Sequence, residues 1–554
     1  MYTRIKKVKE YEYFQIVESR REEGKVKQDV ILNLGRVDLL KKSGIADILI
    51  EGLAKITEKH ALIGDLRNQK PISCHRVGSV LIFERLWRDL GIGDSITAQL
   101  QGRHFDFPVE RTIFIATLQR LLGSGSDRAG MRWQEDYRLD KQGEISLQHF
   151  YRAMAWLGEP LPEDQQRGAT PFSPRCQKDL LEERLFRKRR NLLTTLDLVF
   201  FDTTSIYFQG QGGETLGQYG HSKDHRPDCH QIVVGMILDN NGRPVCTEIW
   251  PGNTADVTTL IPVANRLKTR FSINRVCIVA DRGMVSLATL DKLEEMGWQY
   301  ILGARMHTNK TIREQIVPDA SPFQEIVGER EKSTDPSPLK VKEVMLDESR
   351  FIVCLNDEQA RKNSHDRENI IKKLEESLKK GDKALIGNKG FRTYVKQTDG
   401  KHFEIDQEKI ASESIFDGKW ILTTNMSSQD MTPADIARKY KQLIMVEDIF
   451  RQHKSLLDTR PVFHRYDDTI RGHVWLSFLA VSLRKELRDR LEKKRKKDEQ
   501  RLEWAEIIAG LETLQEAEVE FGNKRFILRS EAKPAAKRCF SACGVSLPQT
   551  LRQL

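Results

Sequence analysis

A chain of 554 residues and 64.0 kDa exceeds one ordinary domain and is expected to divide into three or four. With 39% hydrophobic and 31% charged residues it can bury real cores, which excludes a wholly disordered chain. Lys and Arg number 90 against 80 Asp and Glu, a net charge of +10, so a polyanionic partner is favoured and nucleic acid is the first candidate. The eight cysteines are scattered, without a C-x-x-C pair or a spaced Cys/His set, which argues against a zinc finger. Several sit in apolar runs, as in Val276-Cys277-Ile278, and read as reduced buried thiols of an intracellular protein. No apolar segment follows the N-terminal lysines, and the longest apolar stretch, Val474 to Leu483, is too short to span a membrane. An intracellular protein is expected.

Residues 1–69 read as a β-rich arm. Tyr11–Val17 and Lys25–Leu32 alternate around a charged turn containing Gly24, the pattern of a hairpin. Residues 70–190 read as a helical, DNA-binding domain, with Val77, Val80, Leu81, Leu86, Trp87 and Leu90 at helical spacing before Gly91. From 191 to 305 the pattern turns to strands. Leu196–Phe201 ends at Asp202, Gln231–Leu238 and Pro244–Trp250 flank the turn Asn240-Asn241-Gly242, a helix begins near Asp256, and Arg275–Ala280 ends at Asp281. Ser286 caps the next helix, and Trp298–Leu302 forms another strand. A mixed sheet covered by helices satisfies this order. Residues 306–425 read as a β-rich insertion with a charged helical arm over Asp357–Lys380. In 426–485, Thr432-Pro433 opens a helix predicted to run to about Leu457, and another follows from Ile470. Residues 486–554 form a basic helical C-terminal region, whose run Arg484–Lys497 suits a solvated face or a DNA or protein contact.

Asp202 and Asp281 each close an apolar strand run, a position shared by turn-capping aspartates and by catalytic groups at sheet rims. Glu447 lies in the helix begun at Thr432. Tyr440, Glu447 and Lys454 are spaced by seven and share one helical face, which Arg451 joins, whereas Asp448 points about 100° away and reads as solvated. Three carboxylates at a sheet rim would make a hard, oxygen-rich site for Mg²⁺ or Mn²⁺. Two such ions would serve phosphodiester displacement, with the neighbouring cations holding phosphate.

These residues resemble the DDE transposases of bacterial insertion sequences, in their IS1634-like branch. The string Tyr440 to Lys454 resembles the signature Y-(2)-R-(3)-E-(6)-K of that group, with Leu443 in place of its arginine and Arg451 as a substitute cation. Phe201-Asp202-Thr203-Thr204-Ser205 and Ala280-Asp281-Arg282-Gly283-Met284 look like its two aspartate motifs. The loop Ser222-Lys223-Asp224-His225-Arg226-Pro227-Asp228, the string Arg460-Pro461-Val462-Phe463-His464 and the string Ile470-Arg471-Gly472-His473 are similarly familiar. The separations of 79 and 166 residues between the three acids fit the same pattern.

The resemblance implies a ribonuclease-H-like catalytic core with a β-rich insertion. It implies a catalytic and metal-binding triad of Asp202, Asp281 and Glu447 and a two-metal site. DNA or phosphate contacts would come from Tyr440, Arg451, Lys454, Lys223, His225 and Arg226. Trp420 holds the place of an insertion-domain tryptophan that stacks on a flipped base in related enzymes, although its apolar strand neighbours also suit a core position. The implied reaction is hydrolysis at element ends followed by attack of the 3′-hydroxyl on target DNA. The expected partners are double-stranded terminal repeats and target DNA, and a second copy of the chain in a synaptic dimer, with no membrane. The absence of a G-x-x-x-x-G-K-[ST] string implies no nucleotide cofactor. A catalytically silent DNA-binding relative and a structure-selective nuclease with the same core are the competing readings.

Overall fold

The alternating aromatic and β-branched residues at the start of the chain form a three-stranded antiparallel sheet in a computed structural model of the protein. Its strands are β1 (Tyr2–Val8), β2 (Tyr11–Glu22) and β3 (Lys25–Arg36), in that spatial order. The sequence reading found the β2–β3 hairpin and missed β1, whose run of lysines hides the alternation; the tip at Gly24 lies outside the described residues. The structure describes residues 1–22, 25–46, 48–49, 71–123, 125–139, 143–167, 169, 173–189, 198–273, 276–326, 339–347, 349–379, 393–398, 402–451, 462–496, 498–521 and 524–554. All eight cysteines are free, six of them buried. Among the described residues no helix is long and apolar enough to cross a membrane.

After strand β4 (Pro71–Arg76) come the helices Gly78–Asp89, Ile92–Gln99, Val109–Leu122, Asp127–Trp133, Leu147–Gly158 and Gln177–Arg189. Their apolar faces meet the central part of the long helix Asp467–Lys494, whose residues Val474–Leu483 are buried throughout. Two glycines allow this contact. An added Cβ would lie 1.9 Å from the Asp468 carbonyl oxygen at Gly158 and 2.0 Å from the Met154 carbonyl oxygen at Gly472.

The central sheet begins with β5 (Leu198–Tyr207), β6 (Gln231–Leu238), β7 (Pro244–Pro251), β8 (Cys277–Ala280) and β9 (Gln299–Gly303). It continues through β10 (Gln324–Ile326), β11 (Leu339–Leu346) and β12 (Ser349–Asn356). After the separate hairpin β13 (Val395–Thr398) and β14 (His402–Ile405) it takes in β15 (Lys419–Thr424). The spatial order is β10-β11-β12-β15-β9-β8-β5-β6-β7. β5, β8 and β9 run parallel and the other pairs antiparallel, so the sheet is mixed, as expected. Strands from 306–425 therefore extend the same sheet past β9. The C-terminal strands β16 (Gln515–Phe521), β17 (Lys524–Arg529) and β18 (Leu551–Gln553) form a fourth sheet, which β4 completes by pairing with β16.

A buried ionic network joins the helical region to this core. Arg270, on the helix Leu260–Phe271, donates to Glu182 at 2.6 Å and Glu183 at 3.0 Å on the helix Gln177–Arg189, and to Glu248 of β7 at 3.1 Å. Lys178 donates to Asp179 at 2.7 Å in the same cluster.

Candidate active site

Asp202 and Asp281 stand side by side because of strand register. β5 and β8 are parallel neighbours, and their last registered pair is Phe201 with Ala280, so Asp202 and Asp281 are the next residues along the two chains. Adjacent strands lie about 4.8 Å apart, which brings the two carboxylates to one rim. β5 does not end at Asp202 but continues to Tyr207, because Thr203, Thr204 and Ile206 go on pairing with β6. β8 does end, at Ala280. Asp281 opens the short turn Arg282–Met284 without capping it through its side chain, so its carboxylate is not spent as a turn cap.

The helix begun at Thr432 starts as expected: Thr432 Oγ1 accepts from the Asp435 N–H at 3.2 Å, with Pro433 in the first helical position. It is not continuous. It divides into Pro433–Lys441 and Ile444–Arg451, and Leu443, Met445 and Val446 each donate to the carbonyl three residues back at 2.9 Å. That tighter turn breaks the seven-residue spacing that placed Tyr440 and Glu447 on one face. Both nevertheless line one cavity of about 360 Å³, together with Asp281, Trp420, Lys441 and Leu443. Tyr440 donates its hydroxyl to Asp281 Oδ1 at 3.1 Å, and burial followed by the Asp281 charge pushes its phenol well above the ordinary range. Leu443 is buried, so the cavity wall is apolar where the resembled signature carries arginine.

Trp420 is half-buried on β15, with the Lys441 ammonium 6.0 Å from its ring centroid. Glu447 is exposed on the cavity wall. Arg451 and Asp448 form an ion pair at 3.1 Å, so Asp448, expected to be simply solvated, is half-buried and partnered. Lys454, Arg460, Pro461 and the predicted helix extension to Leu457 lie outside the described residues. His225 is exposed with a left-handed backbone (φ 56°). Arg226 lies over the Tyr207 ring at 5.1 Å and pairs with Asp228 at 2.8 Å. Lys223 turns inward and donates to the Thr203 carbonyl at 2.8 Å.

Burial raises the Asp202 carboxyl to about 6, with Lys223 opposing the rise and Asp281 and Asp256 adding to it. A half-buried carboxylate that feels two more negative charges favours a bound cation, so Asp202 and Asp281 are of the type that could hold a divalent metal, and Glu447 on the cavity wall could add a further oxygen. The three carboxylates do not all come within 4.8 Å of one another in the metal-free chain. Among the described residues that closeness is reached by Asp127, His464 and His473. There the Arg120 guanidinium already supplies the positive charge, 2.9 Å from Asp127 and 3.0 Å from His473.

Sequence reasoning missed Asp256. It was read as a helix start, where an acidic residue is ordinary. The available signal was Gly252-Asn253-Thr254-Ala255-Asp256, a tight turn directly after a core strand, but only the fold shows that this turn meets Thr203.

Comparisons with known proteins identify the family. The family described as "Transposase DDE domain" matches residues 194–483, more than half of the chain, and the "IS1634 family transposase, N-terminal domain" matches residues 2–63. Among curated proteins none matches. One similar solved structure is a piggyBac transposase synaptic complex with hairpin DNA, at 9% identity and a TM-score of 0.35, covering 78% of this chain and 79% of that one. The chain belongs to the DDE transposases, in the IS1634 branch, and is an insertion-sequence DNA transposase of the metal-dependent nuclease and transesterase class.

Proposed function

We propose that Asp202, Asp281 and Glu447 are the catalytic carboxylates, set in a ribonuclease-H-like core, and that they hold Mg²⁺ or Mn²⁺ as a two-metal site. The reading is carried by the register that seats Asp202 beside Asp281, with Glu447 on the wall of the cavity that Asp281 lines. Bound divalent ions would activate water or a 3′-hydroxyl and stabilise the leaving oxygen. Tyr440 orients Asp281 through its hydroxyl, and half-buried Asp202 is largely desolvated by the protein around it.

The substrate is double-stranded DNA, at the ends of the element and at the target, and two copies of the chain join on it during synapsis. The helical region 70–190 and the arm 1–69 contact the duplex. Arg451, Lys454, His225 and Arg226 hold phosphates around the cavity, and Trp420 offers its ring face to a base that leaves the stack.

The test pairs binding with chemistry. Asp202→Asn, Asp281→Asn and Glu447→Gln should each lose cleavage and strand transfer by at least ~10³-fold and keep DNA affinity within about threefold. Asp448→Asn should lose less than about tenfold. Full catalysis by a triad variant, or complete loss at Asp448, overturns the assignment. Strand transfer with a pre-cleaved end separates a transposase from a simple nuclease. An anomalous map from Mn²⁺-soaked crystals should show density between Asp202 and Asp281.

A further inference from the structure

Asp256, Lys223 and Thr203 form a closed hydrogen-bonded set beside Asp202. The Thr203 hydroxyl donates to Asp256 Oδ1 at 2.7 Å. The Lys223 ammonium reaches three acceptors: the Thr203 carbonyl at 2.8 Å, Thr203 Oγ1 at 2.9 Å and Asp256 Oδ2 at 3.0 Å. An ammonium has three N–H donors, and this geometry engages all of them. Both Asp256 oxygens are engaged as well. The set also borders both proposed metal carboxylates. Thr203 donates its backbone N–H to Asp202 Oδ1 at 2.7 Å. On the other side, Asp256 Oδ2 would lie 3.7 Å from a Cβ added at Gly283, in the turn that follows Asp281. The Lys223 backbone is fixed in turn by its N–H donating to Ser205 Oγ at 2.7 Å, three residues along β5 from Asp202.

We propose that Lys223 and Asp256 are positioning residues that set the Asp202–Asp281 spacing and balance the charge at the metal site. Lys223 is then not a phosphate contact, and Asp256 is not a metal ligand. This rests on the reading of Asp202 and Asp281 as the metal carboxylates. The logic is electrostatic. Asp202 feels the charges of Asp281 and Asp256, and Lys223 opposes that repulsion. The Lys223–Asp256 pair is neutral as a unit, so it orders β5 and the Asp281 turn without adding net charge. Neutralising Asp256 alone would leave the ammonium uncompensated beside the cation-binding carboxylates, and a unit charge at that range repels a dication strongly in a partly buried site.

The test is Mn²⁺ binding to the full-length, metal-free and DNA-free protein, read by electron paramagnetic resonance and calorimetry, with thermal unfolding to check folding. Asp256→Asn should weaken Mn²⁺ about tenfold at unchanged stoichiometry. Lys223→Met combined with Asp256→Asn should recover most of that loss, because the pair is again neutral. Thr203→Ser, which keeps the hydroxyl, should bind Mn²⁺ like the wild type, and Thr203→Val should not. A double variant as weak as Asp256→Asn overturns the charge-balance role, and a stoichiometry lowered by one in Asp256→Asn makes Asp256 a ligand. The salt dependence of DNA binding gives a second arm: Lys223→Met should leave the log–log slope unchanged, whereas a fall of about 0.9 would mark a lost phosphate contact. Asp202→Asn and Asp281→Asn serve as controls. If they keep Mn²⁺, the metal-site reading fails; if they lose it while Asp256→Asn does not, only the positioning role fails.

Discussion

Asp202 is an acid that the fold holds against its ordinary ionisation, and this has a measurable consequence in the metal-free protein. Its carboxyl is raised to about 6 in the fold, chiefly by burial, against a usual value near 4 in the unfolded chain. The folded state therefore binds the proton more tightly, so this residue's contribution is most favourable below pH ~4 and declines as pH rises toward ~6. The loss is on the order of 3 kcal/mol. Urea unfolding without metal should show the wild type losing stability relative to Asp202→Asn across that interval, and parallel curves would contradict the burial. Saturating Mn²⁺ should remove the difference. Asp202 and Asp281 were legible in the sequence because each ends an apolar run, and Glu447 because it lies among apolar helix residues. Asp256 was not, since its role comes from a contact with Thr203, 53 residues earlier in the chain.

Among elements, the helix that carries Glu447 shows where periodicity stops informing. Its start was readable from Thr432 and Pro433, whereas its break at Gln442–Leu443 carries no Gly or Pro to announce it. Leu443, in the break, and Val446, just beyond it, are both buried. The crossing of the helices Leu147–Gly158 and Asp467–Lys494 is governed by two backbones in contact. Gly472→Ala places a methyl carbon 2.0 Å from the Met154 carbonyl oxygen, and backbone has no rotamer to yield. A loss of about 2–4 kcal/mol is expected in denaturant unfolding, and one under about 0.5 kcal/mol would show that the helices slide apart freely. Nothing in the sequence around Gly472 marks it as a crossing point rather than a helix-weakening residue.

Across the whole molecule, the helical region and the sheet behave as one body because charges are shared between them. Arg270 serves Glu182 and Glu183 on one helix and Glu248 on β7 at once. Arg270→Met removes one of the cluster's buried cations and leaves Lys178 and Arg266 to face the buried carboxylates, at an expected cost of about 3–5 kcal/mol. Calorimetric unfolding should show this, with protonation of the stranded acids restoring part of the stability at low pH. A change below about 1 kcal/mol would mean that the two regions hold together through apolar packing alone. The mixed α/β architecture was readable from the order of strands and helices, but not the junctions, because this network joins residues 22 to 88 positions apart in the chain.

The pairing of β4 with β16 sets a timetable for biosynthesis. Cys74 donates to Gln515 across 441 residues of chain, so a strand made early on the ribosome has no partner until almost everything else has emerged. At roughly 5–20 residues per second, that wait lasts on the order of 20–90 s. During it the edge of β4 stands open to pairing with another nascent chain, and the helices that follow it settle against a neighbour not yet made. The interval between β4 and β16 is thus when this protein is most exposed to chaperones, proteases and its own copies. Slowing translation near the 3′ end of the message would lengthen that exposure without changing a single residue.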